Sequence, residues 1–263
     1  MPGTGSSSTQ VNRLHPSFQF GKPFEPPKCM PSDSTVVTSN PGQEREITSR
    51  ISPLLMGLAY TLFRYLVLPI YFRDVHISGQ AHLPHQGAIM LAPTHRSRWD
   101  ALLVTYAAGR LATGRDLRFM VSIDEMQGLQ GWFIERLGGF PVNPGESDIG
   151  SLHHSMKLLA QQRMLVIFPE GDIHRAAENV ATIHSGPAYI GLRAMAENPG
   201  LKPQIIPMSI RYSPPVPSWR SRADIKIGPP LAVADYGPQP TKGHIQRLRD
   251  DLQAALQDLH GSH

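Results

Sequence analysis

The chain has 263 residues, of which 40% are apolar, and it carries a formal net charge of +4. That length suits one large α/β domain plus a tail, and a mean hydropathy of −0.23 argues against a polytopic membrane protein. The single cysteine, Cys29, excludes an internal disulfide framework and a cysteine-rich zinc site, and no run of five Lys or Arg residues points to a nucleic-acid partner.

Residues 1–47 are rich in Pro, Ser, Thr and Gly, have no helical or strand period, and read as a disordered tail. Phe18, Phe20 and Phe24 in that tail are either docking aromatics or ordinary members of a loose leader. No basic cluster followed by an apolar run opens the chain, so no secretory signal is expected.

The next unit, residues 48–73, holds the apolar run 51–72. Ser52 followed by Pro53 reads as an N-cap and first helical residue, and Pro69 should end or kink the helix. The run is long enough to span a bilayer, but Arg64 near its middle makes an interfacial helix cheaper than a spanning one, and a buried core helix fits the same period.

From residue 74 to 263 strands and helices alternate, which defines an α/β fold: one domain with a mixed, largely parallel sheet flanked by helices. Strands are expected at 75–79, 88–93, 117–122, 139–143, 164–168, 204–211 and 224–227. Helices are expected at 99–108, 124–137, 148–163, 187–197 and 241–259, the last burying Ile245, Leu248, Leu252, Leu256 and Leu259.

Four segments carry residues suited to chemistry. In Thr94–His95–Arg96–Ser97–Arg98–Trp99–Asp100, directly after a buried strand, His95 projects at the sheet edge where open α/β sheets carry their sites. Asp100, in the first turns of the next helix, can reach back to Nδ1 and leave Nε2 free as a base; alternatively His95 is a capping residue and Asp100 an unrelated surface acid. In Phe168–Pro169–Glu170–Gly171, after another buried strand, Glu170 is an acceptor for a substrate hydroxyl or a neighbouring cation, and Gly171 permits a tight turn. Arg175, beyond it, has the fork that suits phosphate oxygens; the plain alternative is a strand-to-loop turn with a solvated Glu. Gly138–Gly139–Phe140–Pro141–Val142–Asn143 allows close backbone approach, with Asn143 as a possible donor. Pro207 interrupts an apolar strand.

In this order and spacing the four segments resemble the glycerolipid acyltransferase family, which acylates glycerol 3-phosphate and lysophosphatidate. His95 and Asp100, separated by four residues with Ser97 between them, match its first motif, and Gly139 with Phe140 its second. Phe168–Pro169–Glu170–Gly171 matches the third and the strand with Pro207 the fourth, over residues 75 to 230. The resemblance implies catalysis by His95 oriented by Asp100, with Arg96, Ser97, Arg98, Gly139, Phe140, Asn143, Glu170, Gly171, Arg175 and Pro207 around the substrates. It implies an acyl-CoA or acyl carrier protein donor, a lysophospholipid or glycerol-phosphate acceptor, no metal and no cofactor besides the thioester. It also implies a place on the cytoplasmic face of a membrane. The chain departs from the pattern at Pro144 and at Asp172–Ile173, where the family has phosphate-gripping arginines, and at Thr94, where it has Asn. Arg96, Arg98 or Arg175 then takes over that grip, or the acceptor is not a simple glycerol phosphate. A thioesterase using water, or a lipid-binding protein on the same scaffold, are the rival outcomes of one assay with labelled acyl thioester.

Overall fold

Ser52 and Pro53 start the first helix as their types dictate. The Ser52 hydroxyl accepts from the Leu55 N–H at 3.4 Å, and Pro53 occupies the first turn, where an N–H has no intrahelical partner. The computed structural model describes residues 47, 51–143, 148–175 and 179–262. It continues this helix as α1 (Pro53–Leu62), a π turn (Phe63–Val67) and α2 (Leu68–Tyr71). Pro69 therefore does not end the helix. Its missing N–H and bulky ring follow a π turn, a wider winding that relieves the crowding such a ring imposes on the preceding carbonyls. The tail read over residues 1–47, with Phe18, Phe20, Phe24 and Cys29, lies outside the described residues apart from Ile47, and so does Pro144.

Phe72 leads straight into β1 (Phe72–Ser78). Then follow β2 (Ile89–Pro93), α3 (Asp100–Ala108), α4 (Arg110–Thr113), β3 (Leu117–Ser122), α5 (Gly128–Arg136), β4 (Gly139–Val142), α6 (Ile149–Ala160) and β5 (Met164–Val166). The chain continues through α7 (Gly186–Glu197), β6 (Gln204–Ser213), β7 (Ser221–Ile227), β8 (Leu231–Ala232) and α8 (Lys242–Gly261). The sheet order is β1-β7-β6-β2-β5-β3-β4, with β8 also on β6. Among the described strands of the sheet, only the β6–β7 and β6–β8 pairings are antiparallel, so the sheet is mixed and largely parallel, in a single α/β domain.

Both faces of the central strands are covered, which is why β2 and β5 read as unbroken apolar runs. On one face Ile89, Leu91, Val166 and Ile206 pack with Leu103 and Val104 of α3 and Phe63 of the first helix. On the other, Met90, Leu165 and Ile205 pack with Leu159 of α6, Leu192 of α7 and Leu248, Leu252 and Leu256 of α8. Pro207 is tolerated because of where its missing N–H points. Gln204 N–H donates to Ala88 O, and Thr94 N–H to Met208 O, so even-numbered residues of β6 bond β2. Pro207 faces the other neighbour, where β7 has ended at Ile227 and β8 begins only at Leu231.

The helix expected over 124–137 is divided. A 3-10 turn at Ile123–Glu125 is followed by a break, and α5 starts at Gly128, whose φ is +57°. A Cβ on Gly131 would stand 2.1 Å from Met126 O, so the two glycines permit a reversal that apolar spacing does not reveal. The short α4 and β8 were likewise not expected, being too brief to carry a period.

Asp148 caps α6. Its carboxylate accepts from Ser151 N–H at 3.0 Å, the Ser151 hydroxyl at 2.7 Å and Asn143 N–H at 3.0 Å. Burial pushes this carboxyl up, but the hydrogen bonds from Ser151, Asn143 and Gly150 together outweigh it and hold it below the usual range. Asp148→Ala should therefore lower unfolding stability by about 1 kcal/mol in urea titration. The contribution is fully present above the unfolded carboxyl value of about 3.9 and is lost as pH falls through the lower folded value, so wild type and variant should converge in strong acid.

Candidate active site

The centre of the site follows from where β2 stops. Thr94 is buried and extends the pairing with β6: its hydroxyl accepts from Ile210 N–H at 2.9 Å and donates to Ile210 O. The chain then turns, and His95 stands at the carboxyl edge of the parallel strands, its ring stacked on Phe168 at 4.1 Å between centroids. Asp100, the first residue of α3, reaches back so that Oδ2 lies 2.9 Å from His95 Nδ1.

Asp100 is fully buried, and among the described residues its carboxylate accepts four hydrogen bonds. Oδ2 also accepts from Arg96 N–H at 2.5 Å and Ser97 N–H at 2.8 Å, while Oδ1 accepts from the Tyr212 hydroxyl at 2.5 Å. A buried carboxylate surrounded by donors is an ionised acceptor. His95 therefore carries its proton on Nδ1, and Nε2, which has no hydrogen-bond partner among the described residues, presents its lone pair at the partly exposed side of the ring. Burial, and then the neighbouring Asp100 charge and hydrogen bond, push the Tyr212 hydroxyl far above its ordinary value, so it stays a donor.

Glu170 ties the two strand ends together. Oε2 accepts from His95 N–H at 2.7 Å and from Arg96 Nη1 at 2.7 Å, and Oε1 from Ala181 N–H at 2.9 Å. The Arg96–Glu170 pair is buried on both sides. On the far side, His174 N–H donates to His95 O at 2.8 Å. Gly171 has φ +77° and its N–H donates to Phe168 O, which closes the turn beneath the His95 ring.

Of the residues the sequence singles out, the structure gathers His95, Arg96, Ser97, Asp100, Glu170 and Gly171 into one cluster. Arg96 is spent on Glu170, and Ser97 caps the turn into α3, its hydroxyl accepting from Trp99 N–H at 3.3 Å. Arg98 points to the surface and pairs with Glu125 at 2.7 Å, an interaction that holds the Glu125 carboxyl below its usual range. Arg175 is exposed, with no ion-pair partner among the described residues.

Gly139 and Phe140 lie elsewhere. The register Leu91↔Val166↔Phe119↔Gly139 sets Gly139 three strands from β2, roughly 14 Å away, and level with Leu91. Gly139 is a glycine because a Cβ there would meet Ile134 at 2.3 Å, and Phe140 is a fully buried core residue edge-on to His154. Asn143 follows β4 and its N–H belongs to the Asp148 cap. Pro207 sits within β6, one residue before the Pro93–Met208 pair.

Tyr212 and Phe168 are the residues that sequence reasoning gave no role. The available signal was positional: Ile206, Met208, Ile210 and Tyr212 share one face of β6, and the run ends on a ring with a polar tip at the sheet edge.

The acyltransferase family profile matches residues 74–211, and the chain belongs to that family. Among solved structures, the chain is similar to the 1-acyl-sn-glycerophosphate (LPA) acyltransferase PlsC from Thermotoga maritima. The TM-score is 0.60 at 15% identity, over 80% of this chain and 78% of that one; at this identity the likeness speaks for the fold. Comparison with curated proteins returned no match.

Arg96→Ala would leave Glu170 buried without its counter-ion, held only by the His95 and Ala181 N–H groups. It should cost about 3–5 kcal/mol in chemical denaturation, far more than Arg98→Ala at the exposed pair, which should stay below about 1 kcal/mol.

Proposed function

We propose that the protein transfers a fatty acyl chain from an acyl thioester, on coenzyme A or acyl carrier protein, to the hydroxyl of a glycerol-phosphate or lysophosphatidate-like acceptor. The observation that carries this reading is the oriented His95–Asp100 pair with Nε2 open at the sheet edge. Neutral His95 takes the hydroxyl proton on Nε2 as the acceptor oxygen forms its bond to the thioester carbonyl carbon. Asp100 stabilises the imidazolium. The tetrahedral intermediate then collapses, the C–S bond breaks, Nε2 passes its proton to the leaving sulfur, and the free thiol departs with His95 neutral again. The thioester is a co-substrate, and the scheme uses no further cofactor. Gly171 N–H, already engaged by Phe168 O, is not a donor to the oxyanion in this scheme.

The first helix supports a bilayer as the place of reaction. Met56, Tyr60, Phe63 and Leu68 face the body of the protein, while Leu54, Leu58, Leu62, Tyr65, Leu66 and Ile70 face outward. Leu54 is 89% exposed. Among the described residues, residues 53–71 form one helix long and apolar enough to cross a membrane, yet one side of it is docked. An interfacial position, with Arg64 at headgroup level, satisfies both sides. Trp219, 63% exposed and edge-on to Tyr71 at 6.4 Å, extends the same surface beside the site.

Purified protein given labelled acyl thioester and lysophosphatidate should yield acylated lipid, and His95→Ala should lower the rate by about 10²–10⁴-fold. Full transfer by His95→Ala, or release of free fatty acid alone, contradicts the reading. Replacing Leu58 and Leu62 together by Glu should reduce co-sedimentation with anionic lipid vesicles by more than about tenfold, given ~1.5–3 kcal/mol for each buried leucine, and leave the fold intact.

A further inference from the structure

We infer that Tyr212 is a positioning residue for the transfer reaction, locking the Asp100 carboxylate from the sheet so that one oxygen stays aimed at His95. The inference rests on His95 and Asp100 acting as proposed above.

Three of the four donors to Asp100 converge on Oδ2: His95 Nδ1 and the Arg96 and Ser97 N–H groups. All three belong to one turn, the segment between β2 and α3, which moves with Asp100. Among the described residues Tyr212 is the donor to Oδ1, and it comes from β6, 112 residues away. Rotation about Cβ–Cγ carries both oxygens together, so the Tyr212 bond to Oδ1 adds a restraint from the sheet to those that the local turn places on Oδ2.

The tyrosine is itself well anchored. It is buried, pairs with Ala223 of β7, and its ring stacks on Phe72 at 6.3 Å with an interplanar angle of 23°. Two residues earlier in β6, Ile210 is bonded on both its polar groups by Thr94. One strand thus fixes the start of the histidine segment and the far oxygen of the aspartate.

A hydrogen bond from a neutral hydroxyl also draws charge from the carboxylate. Removing it concentrates that charge on Oδ2 and favours imidazolium. Among the described residues, the other charged groups bonded to His95 or its neighbour are Arg96 and Glu170, which neutralise each other in their buried pair, while His174 contributes a backbone N–H. None of them replaces the lost donor.

The test is Tyr212→Phe in the full chain, read by the pH profile of kcat/KM and by the downfield Nδ1–H proton resonance of His95. kcat should fall roughly tenfold with KM within about twofold, the acid limb should move up by about one pH unit, and the Nδ1–H resonance should move further downfield. Incorporating 3-fluorotyrosine, a stronger donor, should move the limb and the resonance the opposite way; this arm also serves if Tyr212→Phe fails to fold. Phe72→Leu, which loosens the ring but keeps the hydroxyl, should lower stability and leave the resonance in place. If the acid limb and the resonance stay fixed in Tyr212→Phe while only stability drops, Tyr212 is packing alone and the inference is overturned. The resonance does not depend on turnover, so it separates this failure from a failure of the acyltransferase reading, which His95→Ala reports.

Discussion

The site is organised around a charge kept out of water. Asp100 is buried, and an unpaired carboxylate there would be driven to neutralise; four directed donors make the ionised form the stable one. Two of those donors are backbone N–H groups, so the carboxylate fixes the path of the chain as well as the ring of His95. The turn from β2 into α3 is wound around an anion, with Ser97 and Trp99 completing its first bonds. Glu170 repeats the device one strand away. It gathers His95 N–H, Arg96 and Ala181 N–H, and so makes the ends of β2 and β5 a single unit.

Glu170 and Tyr212 reach the His95–Asp100 segment because of strand order. β2 lies between β5 and β6, so the segment after it is flanked by the turn after β5 on one side and by the last residues of β6 on the other. Glu170 and Phe168 arrive from the first neighbour, Tyr212 from the second. The cluster around His95 is therefore assembled from the ends of β2, β5 and β6. Gly139, three strands away, admits Ile134 of α5 against the sheet, and Gly138 lies close to Leu117 O.

Much of this was legible in the sequence. The buried strands announced themselves as unbroken apolar runs, Ser52 and Pro53 marked a helix start, and the His95–Asp100 spacing lay within one turn where local geometry brings the pair together. The Glu170 contact to Arg96 was open as a contact to some neighbouring cation, but choosing Arg96 over Arg98 or Arg175 required knowing which side chain turns inward. Contacts across the sheet were out of reach. Nothing local to Tyr212 indicates that it faces an acid 112 residues earlier, because strand order, and with it the neighbours of β2, is decided by the whole chain. The reversal at Gly128 and Gly131 was hidden for a different reason: apolar spacing reports which side of an element is buried and is silent about a glycine that lets two backbones touch.

The first helix is fastened at both ends. At its start Ile51 bridges Leu137 and Ser52 N–H donates to Arg136 O; at its end Tyr71 O accepts from Arg220 N–H and the Tyr71 ring lies on Trp99 at 4.2 Å. A segment riveted in this way is a keel and not a mooring line. It cannot swing out while the domain tumbles below it, so whatever surface its outer side rests on dictates the tilt of the whole sheet and the height at which the carboxyl edge is carried. Substrates drawn from that surface would always meet the histidine from the same quarter.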